Sequence, residues 1–168
     1  MNLLPCSIIF TFKKRSWFSK LVWYFSKIDT TLAEKRKVSH LALYIGDNMI
    51  AESSFGGVAI RNIKKFNTGK YDVYIGRCLL PHECDKIVSY CNESAGLIDY
   101  SYLQLFAIMF KKIFRLPNIG DVDKEGMMCV EFILNAFIAG GVNLFKSPAE
   151  VTPLDLFTSE HIFVSRRM

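Results

Sequence analysis

A histidine opening an apolar strand, a glutamate on the following strand and a cysteine heading an apolar helix are the base, orienting group and nucleophile a thiol enzyme needs. In this chain of 168 residues they are His40, in Ser39-His40-Leu41-Ala42-Leu43-Tyr44-Ile45-Gly46-Asp47-Asn48, then Glu52 and Cys129. The strand period puts His40, Ala42 and Tyr44 on one face. A three-residue Gly46-Asp47-Asn48 loop with Asn48 left-handed sets Ala42 opposite Glu52 and makes His40 its diagonal neighbour. A two-residue loop would turn Glu52 to the other face, so the constellation depends on that register. Cys129 begins a segment that is apolar all round, and free amides at a helix N-terminus favour a thiolate and can donate to a developing oxyanion. Singly, each residue has an ordinary structural explanation: core packing for the cysteine, a satisfied strand histidine, a surface carboxylate. Their combination points to chemistry.

The elements that must position these groups follow from hydrophobic period. Strands are expected over 6–12, 38–45, 49–53, 58–63 and 73–78, with a last short one over 161–165. Helical spacing covers 17–28, 82–95 after Pro81 read as a first-turn proline, 102–115 and 128–139. No internal repeat is visible. The expectation is one α+β domain over 1–168, with strands early and helices late.

Apolar residues make up 51% of the chain and aromatics 14%, enough for one buried core. The net charge of +5 gathers at Lys13-Lys14-Arg15, Lys35-Arg36-Lys37 and Lys111-Lys112. Such clusters suit a solvated surface, an anionic polymer or a membrane surface, and none reaches the strength of a specific nucleic-acid motif. Five cysteines at 6, 78, 84, 91 and 129 form an odd set without close pairs. Neither a disulfide framework nor a zinc ribbon is expected, and a reducing compartment is favoured. The stretch 1–12 has its positive charges after the apolar run, the reverse of a secretory signal. The stretch 127–145 carries Glu131, Asn135, Asn143 and the Gly140-Gly141 stop, which argue for a buried helix rather than a membrane span. A cytoplasmic or phage- or virus-associated protein is expected. His82-Glu83-Cys84 places adjacent residues on different helix faces, so no metal or organic cofactor is implied.

From Ser39-His40 through Gly46-Asp47, Ile50-Ala51-Glu52 and Cys129-Val130-Glu131-Phe132-Ile133, the chain resembles the NlpC/P60 superfamily, in its circularly permuted papain-like branch that includes YiiX/YebB-like proteins. Gly57-Val58, the strand ending in Arg77, Gly96-Leu97-Ile98-Asp99-Tyr100 and Pro153-Leu154-Asp155-Leu156 follow in the same order, so the resemblance spans nearly the whole chain. It implies an antiparallel sheet or small barrel packed on helices, Cys129 as nucleophile, His40 as base and Glu52 as the third residue. Lecithin:retinol acyltransferase-like members carry a second histidine where Glu52 stands, which directs the resemblance toward the bacterial YiiX-like members. The Gly-Asp pair that often opens such chains is replaced by Leu4-Pro5-Cys6-Ser7.

The resemblance implies a thiol hydrolase cleaving an amide bond, in a peptidoglycan-derived or other short peptide, through an acyl-enzyme. Tyr44, Ser53, Ser54, Phe55, Met127, Met128 and Tyr100 are the residues expected to line the substrate cleft. A lipid thioesterase or acyltransferase would apply the same chemistry to an ester, with Trp17-Phe18 and Leu21 to Phe25 docking on a membrane surface. A catalytically silent binding or virion component would keep the fold alone.

Overall fold

The computed structural model describes residues 3–27, 36–114, 126–145 and 151–165. Its centre is β1 (Ile8–Lys13), Ile-Ile-Phe-Thr-Phe-Lys, whose β-branched and aromatic side chains suit a strand buried on both faces. β1 pairs antiparallel with β2 (His40–Gly46) on one side and with β5 (Tyr71–Cys78) on the other. β3 (Met49–Ser54) and β4 (Gly57–Asn62) extend the sheet beyond β2, and β6 (Ile162–Ser165) pairs with β5. The result is a six-stranded antiparallel sheet of order β4-β3-β2-β1-β5-β6 with helices packed on it, the mixed α+β class expected.

The helices are α1 (Trp17–Lys27), α2 (Cys84–Ser94), α3 (Tyr102–Phe114), α4 (Cys129–Ala139) and α5 (Pro153–Thr158). The outermost expected positions of the first and third helices, 28 and 115, lie outside the described residues. Pro81 is not in the first turn of α2: Glu83 caps that helix, two residues later. One sheet face carries Ile8, Phe10, Leu41, Leu43 and Ala51 into the main core with α2, α4 and α5. On the other face Ile9, Ala42, Tyr44, Ile50, Val73 and Ile75 form a smaller core, closed by Ile63 and Phe66 of a short 3-10 helix (Ile63–Phe66). None of the helices among the described residues is long and apolar enough to cross a membrane.

The β2–β3 turn departs from the expected three-residue loop. Gly46 pairs with Met49, so the turn is the two residues Asp47-Asn48, both left-handed (φ 49° and 59°). That is the primed geometry which matches strand twist. A register shift between Tyr44 and Gly46 absorbs one residue, and beyond it Leu43 faces Ala51 and Tyr44 faces Ile50. Continuing that register sets Ala42 opposite Glu52. The bulge therefore restores the side-chain parity that a two-residue turn alone would have reversed.

The cysteine expectation needs correcting: Cys6 and Cys84 are joined in a disulfide across 78 residues. Spacing along the chain hides it, because the contact is made by topology. Ile8 pairs with Gly76, so the start of β1 lies beside the end of β5, and the chain turns from there directly into α2. Cys78, Cys91 and Cys129 are free thiols. The compositional case for a reducing compartment loses its basis with that bond.

Candidate active site

His40 stands at the start of β2, where strand pairing ends and a polar ring can leave the sheet without burying an unpaired group. Its Nε2 donates to Glu52 Oε2 at 2.8 Å, the diagonal contact that the register creates. The Cys129 side chain is the ring's other electrostatic partner. With Nε2 engaged by Glu52, Nδ1 is the nitrogen left for the thiol. Burial alone would lower the imidazole pKa, but hydrogen bonds and charge from Cys129 and Glu52 outweigh it and raise His40 from 6.5 to about 9.

Glu52 is wholly inaccessible to solvent. A buried carboxylate is costly unless paired, and this one is paired three times. Besides His40, its Oε1 takes Lys65 Nζ from the 3-10 helix and Arg61 Nε of β4 at 3.3 Å. Burial pushes the Glu52 carboxyl up, while the hydrogen bonds and charges of His40 and Lys65 pull it further down, from 4.5 to about 2. The carboxylate stays ionised and fixes the imidazole ring. Sequence reasoning missed both cations. Arg61 was within reach of it: Glu52 pairs with Ala59, so Arg61, two residues on, shares its sheet face.

Cys129 is the first residue of α4, a helix that packs against β2 and β3. Ser53 Oγ donates to the Met127 carbonyl at 2.5 Å, and Met127 N donates to the Asp99 carbonyl, so the approach to α4 is pinned from two sides. Met128 occupies the N-cap, and its side chain makes no capping bond to the helix N-terminus.

A cleft of about 210 Å³ opens over His40 and Glu52, with Ser54, Phe55, Lys65 and Tyr100 among its walls. A smaller apolar cavity of about 40 Å³ adjoins Cys129, between Val22 of α1, Leu105 and Ile108 of α3, and Met128. Ser39 and Tyr100 border both. The Ser39 hydroxyl is buried without a hydrogen-bond partner among the described residues. Burial, then the Cys129 sulfur and Tyr102, push the Tyr100 hydroxyl strongly up, so it stays a neutral donor. Two residues before Tyr100, the Ile98 carbonyl accepts from Val58 N at 2.8 Å and lies against Gly57 (φ 88°), where a side chain would strike that carbonyl.

Of the expected cleft residues, Ser54, Phe55 and Tyr100 line the cleft and Met128 the cavity beside Cys129. Ser53 does not: it is fully buried on the opposite sheet face, bonded to Met127. Tyr44 also does not, because it packs in the smaller core near the β2–β3 turn, its hydroxyl accepting from Asn48 N. Met127 is half-buried, its sulfur accepting from Asn135 and Tyr90. No group of three or more His, Cys, Asp or Glu side chains able to hold a metal is found among the described residues.

No family model matches the chain. It is similar to the probable lipoprotein peptidase YaeF of Escherichia coli (strain K12), with 26% identity over 145 residues, 71% of this chain. The chain aligns with 53% of the length of that relative, about half.

Proposed function

We propose that the chain is a papain-like thiol hydrolase of the NlpC/P60 superfamily, permuted as in its YiiX-like members, that cleaves an amide bond through an acyl-enzyme on Cys129. The observation that carries this reading is one imidazole bonded to a buried, ionised carboxylate and electrostatically coupled to the Cys129 side chain at the start of α4. The likeness to a relative named as a peptidase independently supports a hydrolase.

In the proposed cycle His40 already holds the Cys129 proton on Nδ1, as the raised imidazole requires, and the sulfur attacks the substrate carbonyl carbon. Amides of the first turn of α4 receive the oxyanion. The tetrahedral intermediate collapses as the imidazolium gives its proton to the departing amine, leaving a thioester on Cys129. His40 then deprotonates a water, which hydrolyses the thioester and restores the starting pair. Glu52 holds the ring and stabilises its charge throughout, as the third member of a triad does. The preferred substrate is a short peptide, such as one derived from peptidoglycan.

The apolar cavity beside Cys129 favours one second reading, in which the same sulfur takes an acyl chain from an ester or thioester. Incubation with cell-wall peptides and with phospholipids, followed by product analysis, separates the two. Amine release from peptide that disappears in Cys129→Ala supports the first reading, and acyl transfer from lipid without peptide cleavage replaces it with the second.

A further inference from the structure

Helix α3 is apolar on both sides, but among the described residues only one side has packing partners. Leu105 and Ile108 pack with Val22 and Phe18 of α1, whereas Leu103, Phe106, Phe110 and Phe114 form a stripe along the other face and are 52–65% exposed. A helix apolar all round is ordinarily buried in protein or in lipid. The exposed stripe of α1 beside it alternates aromatic and basic residues at helical spacing, Trp17, Lys20, Tyr24 and Lys27, with Trp17 73% exposed. Ring contacts join the two helices across the β3–β4 turn: Phe18 to Phe55 at 5.2 Å, Phe55 to Tyr100 at 5.9 Å and Tyr100 to Tyr102 at 5.0 Å. Phe18, Phe55 and Tyr100 are also walls of the His40 cleft, so the apolar surface runs into the cleft mouth.

Charge specifies what covers this surface. Residues 3–27 contain five Lys or Arg and no Asp or Glu, and α3 contains Lys111 and Lys112 and again no acid. Lys14 pairs with Asp72 at 3.4 Å and Asp99 is exposed beside Tyr100, so the face is net basic rather than free of acids. A net basic rim around exposed aromatic and aliphatic side chains is the pattern of a helix pair lying in a lipid headgroup layer. Basic residues near an anionic leaflet each contribute about 1 kcal/mol, and aromatic rings sit at headgroup level. We infer that α1, the β3–β4 turn and α3 form a docking face for an anionic lipid surface, which seats the cleft mouth against the membrane. The inference is independent of the reaction on Cys129, and binding is measured without turnover.

The test is partition of the full chain onto vesicles of phosphatidylcholine, with and without phosphatidylserine. Binding to the anionic vesicles is expected, weakening with added salt because the basic rim is screened. Phe106→Ser combined with Phe110→Ser should weaken it at least about tenfold, since each ring withdraws apolar area from the headgroup layer. Leu79→Glu, exposed at the opposite end of the sheet from the cleft, should leave it unchanged. The chain has two tryptophans, so Trp23→Phe leaves Trp17 as a reporter, and brominated phospholipid should quench it. Absence of binding to anionic vesicles overturns the inference, as does binding insensitive to the Phe106 and Phe110 changes. A dimer that these same changes dissociate overturns it too, by assigning the face to a second copy of the chain.

Discussion

Replacing Glu52 by Gln keeps the shape of a buried side chain and removes only its charge. The drop of the Glu52 carboxyl from 4.5 to about 2 corresponds to on the order of 3 kcal/mol of native-state stabilisation near neutral pH, at about 1.4 kcal/mol per pH unit. The rise of His40 comes first from Cys129 and then from Glu52; its Glu52 share is the same pair interaction, so it is not added. Glu52→Gln should therefore lower the unfolding free energy near pH 7 by about 2–3 kcal/mol, since Lys65 and Arg61 are partly exposed and recover some hydration. The sign of the pH dependence follows from a lowered carboxyl. Its contribution is full above about 4.5 and is lost as pH falls through about 2, so near pH 3 roughly 1 kcal/mol of the difference survives. Urea unfolding of both proteins near neutrality and at about pH 3 measures this directly. Adding Lys65→Met to Glu52→Gln should recover part of the loss, because it removes a cation that the neutral amide cannot balance. Equal stabilities near neutrality, or a gap of the same size at both pH values, would refute the pairing account of Glu52.

Under non-reducing conditions Cys129 should be alkylated ahead of Cys78 and Cys91, whose thiols burial pushes up, Cys91 to about 12; peptide mass mapping of the labelled protein would show it. His40→Ala should cost almost as much turnover as Cys129→Ala, because nucleophile and base act as one unit, whereas Glu52→Gln should cost less; turnover left intact by Glu52→Ala would remove Glu52 from the site. The raised His40 keeps its proton until about pH 9, so the stability its charge contributes is fully present below 6.5 and is lost through about 9, and turnover should fall on that same alkaline limb in a pH–rate profile. Reducing the Cys6–Cys84 bond should cost about 2–4 kcal/mol by releasing a long loop in the unfolded chain, and a melting temperature unchanged by reductant would contradict that bond.

Much of this molecule is legible in its alternation of side chains. The order of strands and helices follows from period, because β2 and β3 each have one face in the main core and α4 is apolar all round. The diagonal placement of His40 and Glu52 was also readable, but for a different local reason. Gly46, at φ 103°, lets the chain bulge and then close a two-residue turn, and an inserted bulge residue leaves no trace in apolar period. Ser53 shows the converse: period alone sends the residue after Glu52 to the opposite face, where it holds Met127 instead of lining the cleft. The disulfide and the approach of Lys65 to Glu52 were not legible, since both depend on how distant elements cross rather than on any local pattern.

The central claim is covalent, so the most direct measurement is the intact mass and modified peptide of the protein mixed rapidly with a short peptide substrate and quenched in acid. The account predicts a transient adduct with the mass of the acyl fragment, on Cys129 alone, that does not form in His40→Ala. Amide cleavage that persists in Cys129→Ala, or an acyl adduct on any other residue, would contradict it.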